Sequence, residues 1–214
     1  MKVKLCGFKD RQSVLSAITN GADFIGFVFC EKSARYIDPD KVAEIAKIIP
    51  PSIAKVAVLA NTDLKVIKKI YQNLAPNYFQ FHGSETPAFL QKIREIFPRV
   101  KIIKAFRIAD KQDLKQVRRF ENEADLFLFD SKSESVDGAS GGSGQSFDWK
   151  ILFGFRCRRN WFLSGGLNVA NVLQATKITG ATMVDISSGI EKVRGEKSAE
   201  LISQLMTKVK NHAA

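Results

Sequence analysis

Eight short apolar runs recur along the chain: VKLCGF from Val3, FIGFVF from Phe24, AKVAVLA from Ala54, YFQFH from Tyr78, KIIKAFRI from Lys101, LFLFDS from Leu126, WFLSGG from Trp161 and MVDISS from Met183. Most are nearly continuous in apolar character, as expected of parallel strands covered on both faces. Between them lie stretches of helical periodicity. Leu64, Ile67, Ile70 and Leu74 make one stripe, Leu114, Val117 and Phe120 another, and Leu201, Leu205 and Val209 the last. Strand then helix, repeated eight times, predicts a single (β/α)8 TIM barrel over residues 1–214. A doubly wound open sheet is the structural alternative.

The chain is long enough to bury a sizeable core, and no apolar run approaches the roughly 20 residues of a spanning helix. The start of the sequence has no basic, apolar and cleavage-site pattern of a secretory signal, so a cytoplasmic location with no membrane association is expected. Cys6, Cys30 and Cys157 form no CxxC pair or metal spacing, which fits a reducing compartment and no metal. Lys and Arg outnumber Asp and Glu, 33 against 22. The excess is spread along helical stretches such as DLKVIKKIYQNL, interleaved with apolar residues, and no nucleic-acid-binding motif accompanies it. The expectation is therefore no nucleic-acid partner, only solvated faces that also attract an anionic substrate.

The two longest intervals contain CEKSARYIDPD after the second run and SKSESVDGASGGSGQSFDW after the sixth. Each follows a strand, so in a barrel each lies on the C-terminal face, where barrel enzymes keep their chemistry. Read alone, the second is a linker between domains, but a barrel cannot close without the two strands beyond it. Glycine turns end the seventh and eighth strands. Gly165 and Gly166 leave the backbone unshielded, Asn168 is suited to cap a helix beginning around Val169, and Ser187, Ser188 and Gly189 make the second turn. Free N–H groups and a helix dipole there favour an anion, and barrel phosphate sites are often built from these two loops. Cys6, Arg35, His82, Asp130 and Asp185 all fall at or just beyond strand ends. Singly, each has a plain structural reading: Cys6 as a small core residue, His82 as a turn cap, Asp185 as a backbone binder pointing opposite to Val184 and Ile186. Their convergence on one mouth is what points to a site.

The blocks KLCGF, FIGFVFCEKSARYI, FQFHG, LFLFDS, GGSGQSFDW, SGGLNVANV and VDISSGIEKVRGEK, in this order, resemble the phosphoribosylanthranilate isomerase family over essentially the whole chain. These tryptophan-pathway enzymes rearrange an aminoaldose to an aminoketose. The resemblance implies a (β/α)8 barrel without cofactor, acting on a small phosphorylated substrate as a monomer or homodimer. It implies Cys6 as general base and Asp130 as general acid. Arg35, His82 and Asp185 would line the pocket, Arg35 toward the anthranilate carboxylate. Gly165, Gly166, Leu167, Ser187, Ser188 and Gly189 would carry the phosphate. Departures from the family pattern are Ala34 and Val169, where proline is usual, and Arg194 and Ser198, where proline and aspartate are usual. They bear on loop rigidity and affinity, not on the acid and base.

The residue types suit that chemistry. Opening a ribose ring needs a proton on the ring oxygen, which a carboxylic acid in a partly dry pocket can supply. The resulting Schiff base acidifies the neighbouring C2 proton, which a thiolate can remove. A free thiol with a pKa of about 8.5 is only a few per cent thiolate at pH 7, so nearby positive charge has to help. Two rivals fare worse. A metal-dependent phosphosugar epimerase needs a His-rich site, and the chain has only His82 and His212. A non-catalytic phosphate-binding barrel leaves Cys6 and Asp130 opposite the phosphate turns without a purpose.

Overall fold

The computed structural model describes residues 1–131 and 148–211. The eight apolar runs form eight strands: β1 (Lys2–Cys6), β2 (Phe24–Val28), β3 (Ala54–Leu59), β4 (Tyr78–Phe81), β5 (Lys101–Ile108), β6 (Leu126–Ser131), β7 (Trp161–Leu163) and β8 (Met183–Ile186). They pair in parallel in chain order, and β8 returns to β1 to close the barrel, which excludes the open sheet. Among the described residues six α-helices surround it: α1 (Arg11–Thr19), α2 (Pro39–Ala46), α3 (Leu64–Leu74), α4 (Pro87–Ile96), α5 (Val172–Thr179) and α6 (Ala199–Asn211). Asp10, Asp38, Asp63 and Thr86 start the first four by accepting a first-turn N–H. Among the described residues no helix is long and apolar enough to cross a membrane.

Successive strand side chains point to opposite faces, so each strand feeds two cores. Outward residues such as Leu5, Phe27, Phe79, Phe81 and Phe127 pack under helix residues that include Ile67, Ile70, Leu90, Val172 and Ile202. Inward residues, among them Phe24, Val56, Ile103, Leu128, Phe162 and Met183, fill the barrel. At its N-terminal end the Phe24 ring meets Phe162 and Tyr78 edge-on, with centroids 5.1 and 5.6 Å away. That plug leaves the opposite end as the open mouth.

Some details differ from the sequence reading. Leu114, Val117 and Phe120 lie on a 3-10 helix, Asp113–Phe120, not an α-helix. Their uniform spacing of three matches about 3.0 residues per turn, which aligns all three on the core side. The helix after β7 begins at Val172, because the Asn168 carboxamide takes the N–H groups of Ala170 and Asn171 into a local turn first. The turn at Ser187, Ser188 and Gly189 leads into an antiparallel hairpin, β9 (Glu191–Val193) and β10 (Glu196–Lys197), and α6 follows only after it. A helix dipole is therefore not aimed from that turn. Ser198, a departure from the family pattern, accepts the Leu201 N–H at 3.2 Å and so starts α6 as a carboxylate would. Most of the Gly/Ser-rich block between β6 and β7 lies outside the described residues.

The Phe162 ring is fully buried inside the barrel. Phe162→Ala should lower unfolding stability by about 3–5 kcal/mol, measured by urea denaturation. A loss below about 1 kcal/mol would mean that the plug is not packed around this ring.

Candidate active site

The inward-pointing residues of the last strand positions and the loops that follow line one cavity at the barrel mouth. It brings together Cys6, Arg35, His82, Asp130, Asp185, Gly165, Gly166, Leu167, Ser187 and Ser188, every expected site residue but Gly189.

Gly189 stands behind the lining. It bridges to Asn168, and a Cβ there would collide with the Leu167 carbonyl. Its bare Cα is what lets the two glycine turns lie side by side. Gly165 and Gly166 have φ of +89° and +66°, values that L side chains rarely adopt, and a Cβ on Gly165 would reach 2.7 Å from the Ser131 nitrogen. The side-chain amides of Asn171 and Asn168 donate to the Gly166 carbonyl at 3.0 and 3.4 Å. The N–H groups of Gly166, Leu167 and Ser188 donate to no protein acceptor among the described residues. Unpaired N–H groups from two adjoining turns form an anion-binding concavity.

Cys6 is buried at the end of β1. Its sulfur fits because the neighbouring residue on β2 is Gly26, where a Cβ would come within 2.7 Å of Sγ. The Ser187 hydroxyl donates to the Cys6 carbonyl at 3.0 Å, tying the thiol strand to the second turn. Burial pushes the thiol above its ordinary pKa; Lys4 pulls it back and Asp185 adds to the rise.

Asp130 ends the inward row of β6, and one carboxylate oxygen accepts the Ser131 N–H at 2.9 Å. The other lies 3.4 Å from His82 Nε2. That approach is too poorly aligned to count as a hydrogen bond, so among the described residues His82 Nε2 is buried without a hydrogen-bond partner. Gln80 Oε1 is in the same state on the same cavity wall. Buried polar atoms without partners are costly unless something fills the site, and two of them facing one cavity call for a polar ligand.

Arg35 is buried and forked onto Glu191, with Nε and Nη2 at 2.7 and 2.8 Å from the two carboxylate oxygens. Lys197 Nζ reaches the same carboxylate at 2.7 Å and the Ser187 carbonyl at 3.0 Å. Burial opposes ionisation of Glu191, but the two cations hold its carboxyl below the usual range. Burial lowers Lys197 to about 8 despite Glu191. Arg35 lines the cavity, and among the described residues its Nη1 makes no hydrogen bond. Asp185 lines the cavity as expected, and it accepts from Lys4 at 2.8 Å and from the Ser164 hydroxyl at 3.5 Å, side chains and not the backbone of its plain structural reading.

Lys4, Gln80, Glu191 and Lys197 were not foreseen. Lys4 and Gln80 did leave a signal, each being a polar residue set between apolar neighbours inside a strand run, on the inward face by alternation. Glu191 and Lys197 left none, since they sit in a hairpin that no periodicity announced.

The family model for N-(5'phosphoribosyl)anthranilate (PRA) isomerase matches residues 3–208. A relative named N-(5'-phosphoribosyl)anthranilate isomerase from Zymomonas mobilis subsp. mobilis is 40% identical over 210 residues, 98% of each chain. The crystal structure of phosphoribosyl anthranilate isomerase from Thermotoga maritima superposes with a TM-score of 0.87 at 32% identity, covering 99% of each chain. A structure of the enzyme in complex with reduced 1-(o-carboxyphenylamino)-1-deoxyribulose 5-phosphate superposes with a TM-score of 0.85 at 31% identity and the same coverage. With a closed parallel barrel, a mouth cavity holding the expected polar residues, and a family match over nearly its whole length, the chain belongs to the N-(5'-phosphoribosyl)anthranilate isomerase family.

Proposed function

We propose that this chain converts N-(5'-phosphoribosyl)anthranilate to 1-(2-carboxyphenylamino)-1-deoxyribulose 5-phosphate, as a cytoplasmic enzyme of tryptophan biosynthesis. Asp130 gives its proton to the ribose ring oxygen as the bond from that oxygen to C1 breaks, leaving a Schiff base between C1 and the anthranilate nitrogen. The Cys6 thiolate then takes the proton from C2. The electron pair of that C–H bond forms the C1–C2 double bond, and the electrons of the C=N bond return to nitrogen. The enolamine goes to the ketone by moving the C2 hydroxyl proton to C1, so the net change is an isomerisation with no redox partner. This route calls for no cofactor, metal or nucleic acid. The chain acts as a monomer or a homodimer.

The observation that carries this reading is the meeting of a buried thiol and a carboxylic acid in one cavity with two turns of unpaired N–H groups. The turns suit the phosphate; Arg35 Nη1 suits the anthranilate carboxylate; His82 and Gln80, with buried atoms lacking partners, suit its polar groups.

Cys6→Ser keeps the shape but hardly ionises, and Asp130→Asn keeps the shape without a transferable proton. Each should lose about 10² to 10⁴ in kcat while still binding a reduced product analogue. Steady-state kinetics with phosphoribosylanthranilate and calorimetry with the analogue check this, and near-wild-type kcat in either variant removes that residue from its role. Gly189→Ala should drive the two turns apart and weaken inorganic phosphate binding about tenfold or more, a loss of about 1.4 kcal/mol. Unchanged phosphate affinity by calorimetry would place the anion elsewhere.

A further inference from the structure

Lys4 is fully buried and sits inside the barrel, where a cation has no solvent. Its position follows from alternation along β1: Val3 and Leu5 face the helices, and Lys4 and Cys6 face inward. Across the seam, Lys4 lies in register with Asp185 of β8, and Nζ is 2.8 Å from Oδ1. That carboxylate takes one of the Nζ hydrogens. An ammonium carries three donors, so two remain, with the Cys6 thiol next on the same face. Burial alone would discharge Lys4, but Asp185 and Cys6 hold it above its ordinary pKa.

We propose that Lys4 is a positioning residue for Cys6: the Asp185 ion pair fixes a permanent ammonium beneath the sulfur, and that ammonium is the counter-charge on which the thiolate forms. The proposal rests on Cys6 being the base. Other charged groups also face this region. Lys197 of β10 acts on the thiol from above, but it is held by Glu191 of β9, which also holds Arg35 of the β2 loop. Asp130 at the end of β6 and His82 beyond β4 line the same cavity, while β2 offers only Gly26 and Val28. Of the two cations on the thiol's own strand, Lys2 is exposed and paired with Asp23, whereas Lys4 is buried and neither Glu191 nor solvent competes for it.

The test is the pH dependence of Cys6 alkylation by iodoacetamide in the full chain, followed by peptide mass so that Cys30 and Cys157 do not contribute. Lys4→Gln should raise the Cys6 midpoint by about 1 to 3 pH units, part of it from the Asp185 charge left unopposed. The double variant Lys4→Gln/Asp185→Asn replaces the ion pair by a neutral amide pair, a change that buried ion pairs often tolerate. It isolates the effect of Lys4. Its midpoint should lie between those of Lys4→Gln and the wild type, still above the wild type by about one pH unit. If Lys4 serves only to neutralise Asp185, the double variant returns to the wild-type midpoint, and the proposal is overturned. If Lys4→Gln does not fold, the double variant alone decides by the same criterion. Turnover is a separate matter: active Cys6→Ser would end the base assignment without moving these midpoints, and unmoved midpoints would end the role of Lys4 without touching that assignment.

Discussion

The pairing of β8 with β1 is the constraint on which the molecule depends. Until the last strand returns to the first, the sheet has two open edges, and the inward residues of its ends have no common interior. The seam sets Val3 opposite Val184 and Lys4 opposite Asp185. A slip of one residue would turn the pair outward under the helices and put Val3 or Val184 inside. The seam thus fixes register and charge together, and it is also the floor of the catalytic cavity.

The mouth handles charge by sharing carboxylates. Lys4 has Asp185, whereas Arg35 and Lys197 divide Glu191 between them. Three buried cations are thus held by two carboxylates, while the Asp130 carboxyl on the same cavity wall lies beside His82. The depressed Lys197, near 8, is one cost of crowding these cations away from water. The basic composition of the whole chain draws an anionic substrate only weakly, since its surface lysines act through screened fields.

What the sequence determined alone is the barrel and most of the residues at its mouth. Continuous apolar runs at regular intervals identify covered parallel strands, and polar residues at the ends of those runs must meet if the strands close on one another. Cys6, His82, Asp130 and Asp185 were legible for that reason, and the Gly165–Gly166 pair identified its turn because few other residues reach positive φ. The 3-10 stretch carried its own signature in the even spacing of Leu114, Val117 and Phe120, a period readily taken for a helix of the commoner kind.

Only the tertiary structure decided which charges share which partners. Lys4 and Asp185 are far apart in sequence and become neighbours through the seam; Glu191 reaches Arg35 because an unforeseen hairpin folds over the mouth. Gly189 proved to be a spacer between turns and not part of the cavity wall, which follows from the Leu167 carbonyl pressed against its Cα. Local periodicity reports which face of an element is apolar. The partner of a buried charge is set by strand register and loop path, which depend on contacts made across the whole chain.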